Sequence, residues 1–407
     1  MKTRNNFSII FLFLLLALIA SAASAQGSLY SRFGIGDLAS YGGSRLAAMG
    51  GSGIGLAGDG FINLLNPAGI GRLSYTRIDG GFEYTSLSSK DANASGSRQR
   101  GGFKALAFAF PISREHGVSA MLDISPYSSV NYALKSSDST LEQTFLGKGG
   151  LTQVSLGGSV SPAGSLLLGF KFNYIFGQIY QNARYNFSDP TFYDSEIDRS
   201  DYYGAANVSL GAIYQQVGTA LNMPSLEHLT IGFVLSTPST FSIDRERTYL
   251  DTTFTSAANA DLPASIGFGA SYLIDAKYVL TADIAQQYWG TAKFFGTVPP
   301  ELKNSTRFSA GFEVIPQRDR NTFISQMTYR AGFSYNSSYL TFGGTAIEEF
   351  SATAGFGFPI GIDANLNLGL QVGTRGTTSN KLQRDTFFRL NLSLSASEMW
   401  FLQFDQD

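Results

Sequence analysis

The amino-acid sequence predicts an all-β chain, a transmembrane antiparallel β-barrel of about 14 strands with an N-terminal segment lodged in its lumen as a hatch. Three observations carry this. After residue 71 the chain alternates apolar and polar residues in runs of about 10–15 positions. Beyond residue 25 no apolar run approaches the ~20 residues of a spanning helix. Residues 26–71, crowded with glycine, lack the alternation altogether.

Composition sets the outer limits. Of 407 residues 43% are hydrophobic and 14% aromatic, with 33 Phe, 20 Tyr, 45 Gly and a net charge of −2. So many rings and so little charge exclude a disordered chain and a nucleic-acid-binding one. With no Cys, the chain carries neither a disulfide nor a lipidated cysteine.

Residues 1–25 read as a secretory signal peptide: Lys2 and Arg4 are its basic end, FSIIFLFLLLALIA its apolar core, and ASA at 23–25 its cleavage site. The apolar run of about 14 residues is short of the ~20 a membrane anchor needs. An exported chain without spanning helices can enter a membrane only as a closed barrel.

The alternation is clearest toward the C-terminus. TRFSAGFEVI places Phe308, Ala310, Phe312 and Val314 on one face, EFSATAGFGF does so with Phe350, Ala352, Ala354, Phe356 and Phe358, and FFRLNLSLSA with Phe388, Leu390, Leu392 and Leu394. Arg307, Ser309, Thr353, Arg389 and Asn391 lie between them. In a soluble sandwich the apolar face would be the core; in a membrane barrel it would meet lipid. Length favours the barrel, because sandwich strands usually run ~5–6 residues. Tyr84, Tyr132, Tyr174, Tyr278, Tyr288 and Trp289 near segment ends suit interfacial girdles. Counting gives about fourteen segments from 75–87 to 385–396, the even number of a single-chain outer-membrane barrel. Connections after the second, fourth, eighth and twelfth segments are short, while those after the third, fifth, seventh and ninth are long and polar. The connection QQVGTALNMPSLE after the sixth is longer than this parity wants.

The division is therefore signal peptide 1–25, hatch 26–71, barrel 72–401 and a short tail 402–407. A barrel of this size is too wide for side chains alone to fill, which gives the hatch its place. Outer-membrane barrels usually end on an aromatic residue; here Phe401 or Phe404 takes that role.

Within the hatch, NLLNPAGIG centres on Asn66, Pro67 and Ala68. Pro67 lacks an amide donor and forces Asn66 off helical backbone, so the step stops the FINLL turn and redirects the chain. An ordinary helix-ending turn reads the same way.

The stretch RLAAMGGSGIGLAGDGFINLLNPAGIGRL, followed by about fourteen strands, resembles the FadL-type family of outer-membrane transporters for long-chain fatty acids and other hydrophobic compounds. SLYSRFGIGDL near the start and MWF near the end resemble the form of this architecture common in Bacteroidota. The resemblance implies the cell outer membrane of a Gram-negative bacterium and a gate at Asn66, Pro67 and Ala68. It also implies a kink in the third strand that opens the wall sideways. Here Pro126 stands in that strand, where a missing ladder donor favours a bulge or break, with Asp123 and Ser125 facing the lumen beside it. Alternatively Pro126 lies above the membrane, where pairing is relaxed.

Outer loops would capture cargo. The long stretches 177–203 and 236–260 offer Phe187, Phe192, Tyr193, Phe241, Tyr249 and Phe254 for an apolar groove and Arg184, Arg245 or Arg247 for a carboxylate. Below them Phe61, Ile62, Leu64, Leu65 and Ile70 would line a path beside the hatch, or seal it.

Enzymatic readings fail. GIGLAG (Gly53, Gly55, Gly58) follows no predicted strand and is no dinucleotide loop. His116 and His228 fall in predicted periplasmic turns, so no triad or histidine-ligated metal is expected; no cofactor is either. The acidic residues Asp194, Glu196, Asp198 and Asp201 read as a solvated rim. Two functions remain. One is passive uptake of a hydrophobic small molecule or lipid, with outer-membrane lipids as surroundings, and the sequence favours it through the resemblance. The other is a non-transporting scaffold whose partners are other outer-membrane proteins of a secretion or barrel-assembly complex.

Overall fold

A computed structural model describes residues 28–39, 42–92, 94–316, 322–360 and 364–398. The signal peptide and the C-terminal aromatic residues fall outside these. A two-residue strand, β1 (Asp37–Leu38), precedes the barrel. The wall begins with β2 (Thr76–Lys90), β3 (Ser95–Ser113), β4 (Val118–Ser137), β5 (Leu141–Ala163), β6 (Leu166–Phe187) and β7 (Ser195–Tyr214). Next come two interrupted strands, β8 (Leu229–Ser236) running on into β9 (Ser239–Tyr249), and β10 (Thr252–Leu262) into β11 (Ser265–Ile274). The wall ends with β12 (Tyr278–Gln287), β13 (Ser305–Val314), β14 (Thr328–Phe342), β15 (Thr345–Pro359), β16 (Ala364–Gly376) and β17 (Arg384–Glu398).

With each interrupted strand counted once, the wall has 14 strands. Every neighbouring pair is antiparallel, and the seam closes from Arg384↔Lys90 to Glu398↔Thr76. The turns after β3, β5, β11 and β15 mark the lower end.

Two expectations about the upper end change. Residues 177–203 and 236–260 are mostly not loops: β6 and β7 extend almost to their joining turn, and β9 and β10 form a hairpin paired from Thr252↔Tyr249 to Leu262↔Ser239. Period-two alternation weakens above the apolar belt, where both faces of a strand meet water, so the sequence reads as loop while the ladder continues. Among the described residues only 288–304, after β12, is a long upper connection, and it folds inward.

Polarity is inverted relative to a water-soluble protein. Phe170, Tyr174, Phe268, Phe308, Phe333, Phe350 and Phe388 project outward and are exposed, while Asp123, Lys171, Asn173, Glu313, Arg330 and Asn391 are buried inside. An apolar belt of this extent is covered by hydrocarbon in a membrane and would drive association in water. The sandwich alternative is thereby set aside. Among the described residues no helix is long and apolar enough to cross a membrane.

Candidate functional site: a lumen filled at two levels and a notch in its wall

Of the segment 26–71 expected as a hatch, the part from residue 42 on packs against the lower inner wall and is called the hatch segment below, while Tyr30 and Ile35 lie in the upper lumen. The turning point of the hatch segment is built as the sequence predicts. Asn66 is extended (φ −131°, ψ 112°), as a residue before proline prefers, and its Oδ1 accepts from the Ala68 N–H at 3.1 Å, capping the short 3-10 turn Pro67–Arg72. Its Nδ2 donates to Ile54 O at 2.8 Å and reaches the wall at Phe233 O (3.2 Å) and Ala212 O (3.3 Å). Asn66 thus joins two hatch segments to the wall.

Asn63, unremarked in the sequence, closes the same loop. Its Nδ2 donates to Gly53 O and Leu56 O, both at 2.8 Å, and its Oδ1 accepts from the backbone of Leu65 and Asn66. Other polar contacts continue around the circumference. Arg45 grips Glu313 of β13 through two bonds (2.8 and 2.6 Å), and Arg330 of β14 donates to the same carboxylate at 2.6 Å and to Asn367 at 2.9 Å. Asp283 accepts from the Gly53 and Ile54 N–H groups. Lys171 donates to Leu64 O at 3.1 Å and lies 3.9 Å from Asp123.

Glycines let the hatch come this close. Gly169 faces Gly211 across the β6–β7 ladder, Gly232 faces Gly269, Gly311 faces Gly332, and Gly355 faces Gly369. A Cβ at any of the first seven would come within 3.0 Å of another atom: hatch atoms at Gly169, Gly211, Gly232, Gly311, Gly332 and Gly355, and at Gly269 both the hatch and Asp283. The belt is therefore a seat shaped for the hatch backbone, with no room for a methyl group between.

The upper lumen is filled differently. Tyr30 and Ile35 of the N-terminal segment, Tyr203, Phe241 and Ile243 of the wall, and Trp289, Phe294 and Leu302 of the inward-folded connection form one buried apolar cluster. Trp289 lies over Tyr339 at 4.9 Å between ring centres, and Tyr203 meets Phe241 edge-on at 5.7 Å.

Between these fillings lies a cavity with a mixed lining, in which Gln153, Lys171, Asn173 and Arg307 stand among apolar residues such as Ile54, Leu64, Leu65, Val234 and Ile266. A second compartment, lined by Glu83, Arg100, Lys104 and Pro126, shares Leu38, Ala39, Ser305 and Asn336 with the first. It sits where the wall is interrupted. The β3–β4 ladder runs from Ser113↔Val118 up to Leu106↔Ile124, and above that no pairing joins the two strands among the described residues. β3 nevertheless stays paired with β2 up to Ser95, and β4 with β5 up to Ser137. Register shifts at Gly81/Phe82 and at Pro126/Ser128 splay the strands apart. Pro126 therefore stands at a bulge in the third wall strand, with Asp123 and Ser125 buried on its lumen side.

The N-terminal segment covers the edge that β4 gives up. β1 pairs with it (Asp37↔Ser129, Leu38↔Ser128), Ala39 N donates to Tyr127 O at 2.9 Å, and the Ser31 hydroxyl bonds both Asn131 N and Asn131 O.

The remaining expected residues are not brought together. Phe61 packs with Leu46, Met49 and Leu56 under the Arg45 guanidinium, 4.1 Å from its ring centre, and lines neither of these two compartments. Phe187, Phe192 and Tyr193 belong to the β6–β7 tip; Tyr249 and Phe254 meet at the β9–β10 tip. Phe241 is inside the upper core. Arg245 is bound to Asp201 (2.6 and 2.9 Å) and stacks on Phe295, while Arg184 pairs with Glu196. The six rings are therefore not gathered into one groove: Phe187 and Phe192 meet at one tip, Tyr249 and Phe254 at another, Tyr193 is exposed, and Phe241 lies in the upper core. Asp201 leaves the acidic rim for that buried pair, and no group of three metal-ligating side chains occurs among the described residues. In the upper turns the Asp138 and Asp189 carboxyls are held below the usual carboxylate range, first by the Thr140 and Thr191 N–H groups and then by their hydroxyls.

A closed 14-strand antiparallel wall around an N-terminal segment is a fold that solved barrels share. Solved structures agree. The toluene transporter TbuX of Ralstonia pickettii aligns at a TM-score of 0.60 with 16% identity, over 88% of this chain and 98% of that one. The toluene transporter TodX of P. putida gives 0.59 and 14%, over 90% and 100%, and a FadL homologue of Pseudomonas aeruginosa 0.60 and 12%, over 90% and 100%. At such identities the likeness is one of fold. The family itself comes from the sequence: residues 4–405 match the BamG family model, and the chain belongs to the BamG family. Among curated proteins no sequence match is found.

Proposed function

We propose that this protein is a scaffold barrel of the outer membrane, a subunit that works through its wall and rim with other outer-membrane proteins. The observation that carries this is the double filling of the lumen. The hatch backbone is seated on facing glycine pairs around most of the circumference, and the axis above it is occupied by an apolar core. A gate at Asn66, Pro67 and Ala68 would have to leave a seat that accepts no methyl group. The chamber between has a mixed lining, in which Gln153, Lys171, Asn173 and Arg307 interrupt the apolar residues, so it offers no continuous apolar path. Co-purification from native outer membranes tests the reading: stoichiometric outer-membrane partners support it, and a monodisperse barrel with an enriched apolar small molecule overturns it.

A second reading, passive uptake of a hydrophobic compound, is favoured by the notch between β3 and β4, which adjoins the chamber. Cargo would enter from above and leave sideways past Pro126. Growth on a long-chain fatty acid or an aromatic hydrocarbon that depends on the intact protein, and is changed by Asn66→Leu, would establish it.

A further inference from the structure

The second compartment opens through the break in the wall. Phe103 lines it and is also 46% exposed on the outer surface, just above Leu106↔Ile124, where the β3–β4 ladder ends. Outside the break, Phe103, Leu106 and Leu122 present apolar side chains to the belt. Inside it the lining is charged, and the balance is positive. Arg98, Arg100 and Lys104 line it from β3, and Arg375 and Arg389 from β16 and β17; the carboxylates are Asp37, Glu83 and Glu349. Those carboxylates are already engaged. Lys104 is held by Glu83 at 2.7 Å, Arg389 by Glu349 at 3.1 Å, and Arg375 by Asp37 at 3.0 Å and, behind it, by Asp385 at 3.4 Å. Arg100 instead reaches across the break to the neutral Ser129 hydroxyl of β4 and forms no ion pair among the described residues. Even with Asp385 included, five cations face four carboxylates. A partly buried guanidinium at the edge of hydrocarbon is costly without a counter-charge.

We propose that this notch binds the phosphate head group of a membrane lipid, with the phosphate beside Arg100 and the acyl chains outside against Phe103, Leu106 and Leu122. The guanidinium presents a planar fork that a phosphate meets with two bonds. Further donors stand around it, the Ser129 and Thr85 hydroxyls and the Gln99 amide, and these outnumber the two oxygens of a carboxylate. A water-soluble anion would gain nothing from the apolar exit, whereas a lipid uses both parts of the site. The site goes beyond the scaffold reading and does not depend on it, since a lipid in the notch suits a scaffold and a channel alike.

The test reconstitutes the full chain in phosphatidylcholine nanodiscs that carry a small fraction of photoreactive phosphatidic acid, and maps the adducts by peptide mass spectrometry. Photoreactive phosphatidylcholine and photoreactive oleate are the comparison probes, and inorganic phosphate is the competitor. Each variant is first checked for the heat-resistant folded form. The expected result is labelling of 98–106 and 122–129 by phosphatidic acid, about tenfold above phosphatidylcholine and oleate and retained in the presence of inorganic phosphate. Arg100→Gln should lower it about tenfold, the worth of one strong charge-assisted contact. Glu83→Gln, which releases Lys104, should raise it, and Lys277→Gln in a lower turn should leave it unchanged. Equal labelling by phosphatidylcholine, or labelling indifferent to both notch variants, would overturn the proposal. Labelling by oleate at the same level would do so as well, by making this a carboxylate site, and full displacement by inorganic phosphate would make it a site for the free ion. Should neither notch variant fold, the preference among the three probes on the unaltered protein decides.

Discussion

The lower and upper halves of this lumen are filled by opposite means. Below, a glycine-rich backbone lies against a glycine-rich wall, and the contacts are hydrogen bonds and ion pairs: Asn66 to three carbonyls, Asp283 to two N–H groups, Arg45 and Arg330 to Glu313. Above, Ile35, Phe241, Trp289 and their neighbours interdigitate as an ordinary apolar core. Polar closure is directional and tolerates almost no change of shape; apolar closure depends on volume and can repack. The halves should therefore respond differently to substitution.

The largest effect is expected at the belt. Gly211→Leu puts a branched side chain into the space of Asn66 and should abolish the heat-resistant folded band, whereas Ala205→Leu in the upper wall should leave a folded barrel. Equal damage from both would remove the distinction. Next comes the ion network: Glu313→Leu leaves Arg45 and Arg330 without their shared carboxylate and should cost about 3–5 kcal/mol by denaturant unfolding. Phe241→Ala should cost a similar or smaller amount, about 3 kcal/mol, with protease sensitivity rising in 288–304 and not in the hatch. The smallest change is expected at the rim. Tyr193 is 94% exposed, so Tyr193→Ser should alter stability by less than about 0.5 kcal/mol, and any loss of co-purifying protein would then report docking alone.

Much of this was legible in the sequence. Period-two runs revealed the wall, because each strand keeps one face in hydrocarbon and the other in a polar lumen, and Pro126 marked the bulge because a ladder cannot take its donor there. Asn66 and Pro67 identified themselves by local backbone chemistry. The capture groove did not, since alternation fades above the membrane and leaves strand ends unmarked: Phe241 falls in the upper core, while Phe192 and Tyr193 fall in the turn between β6 and β7. The belt was missed for a different reason. Gly211 or Gly332 read alone is merely a weak strand residue; its meaning lies in facing another glycine across a ladder with a hatch residue between them. Arg45 and Glu313 are far apart in the chain, and nothing local joins them.

The glycine belt also fixes an order of events. The hatch precedes β2 in the chain, yet its seat is made by strands from β6 to β16, and the seam that completes the ring is β17 against β2. A segment held this tightly is expected to be in place before the ring closes, with the wall laid down around it. A barrel made without residues 28–75 should then not recover its heat resistance when that segment is supplied afterwards as a separate peptide, however high the concentration. The N-terminal segment is in that sense the mandrel on which the barrel is wound.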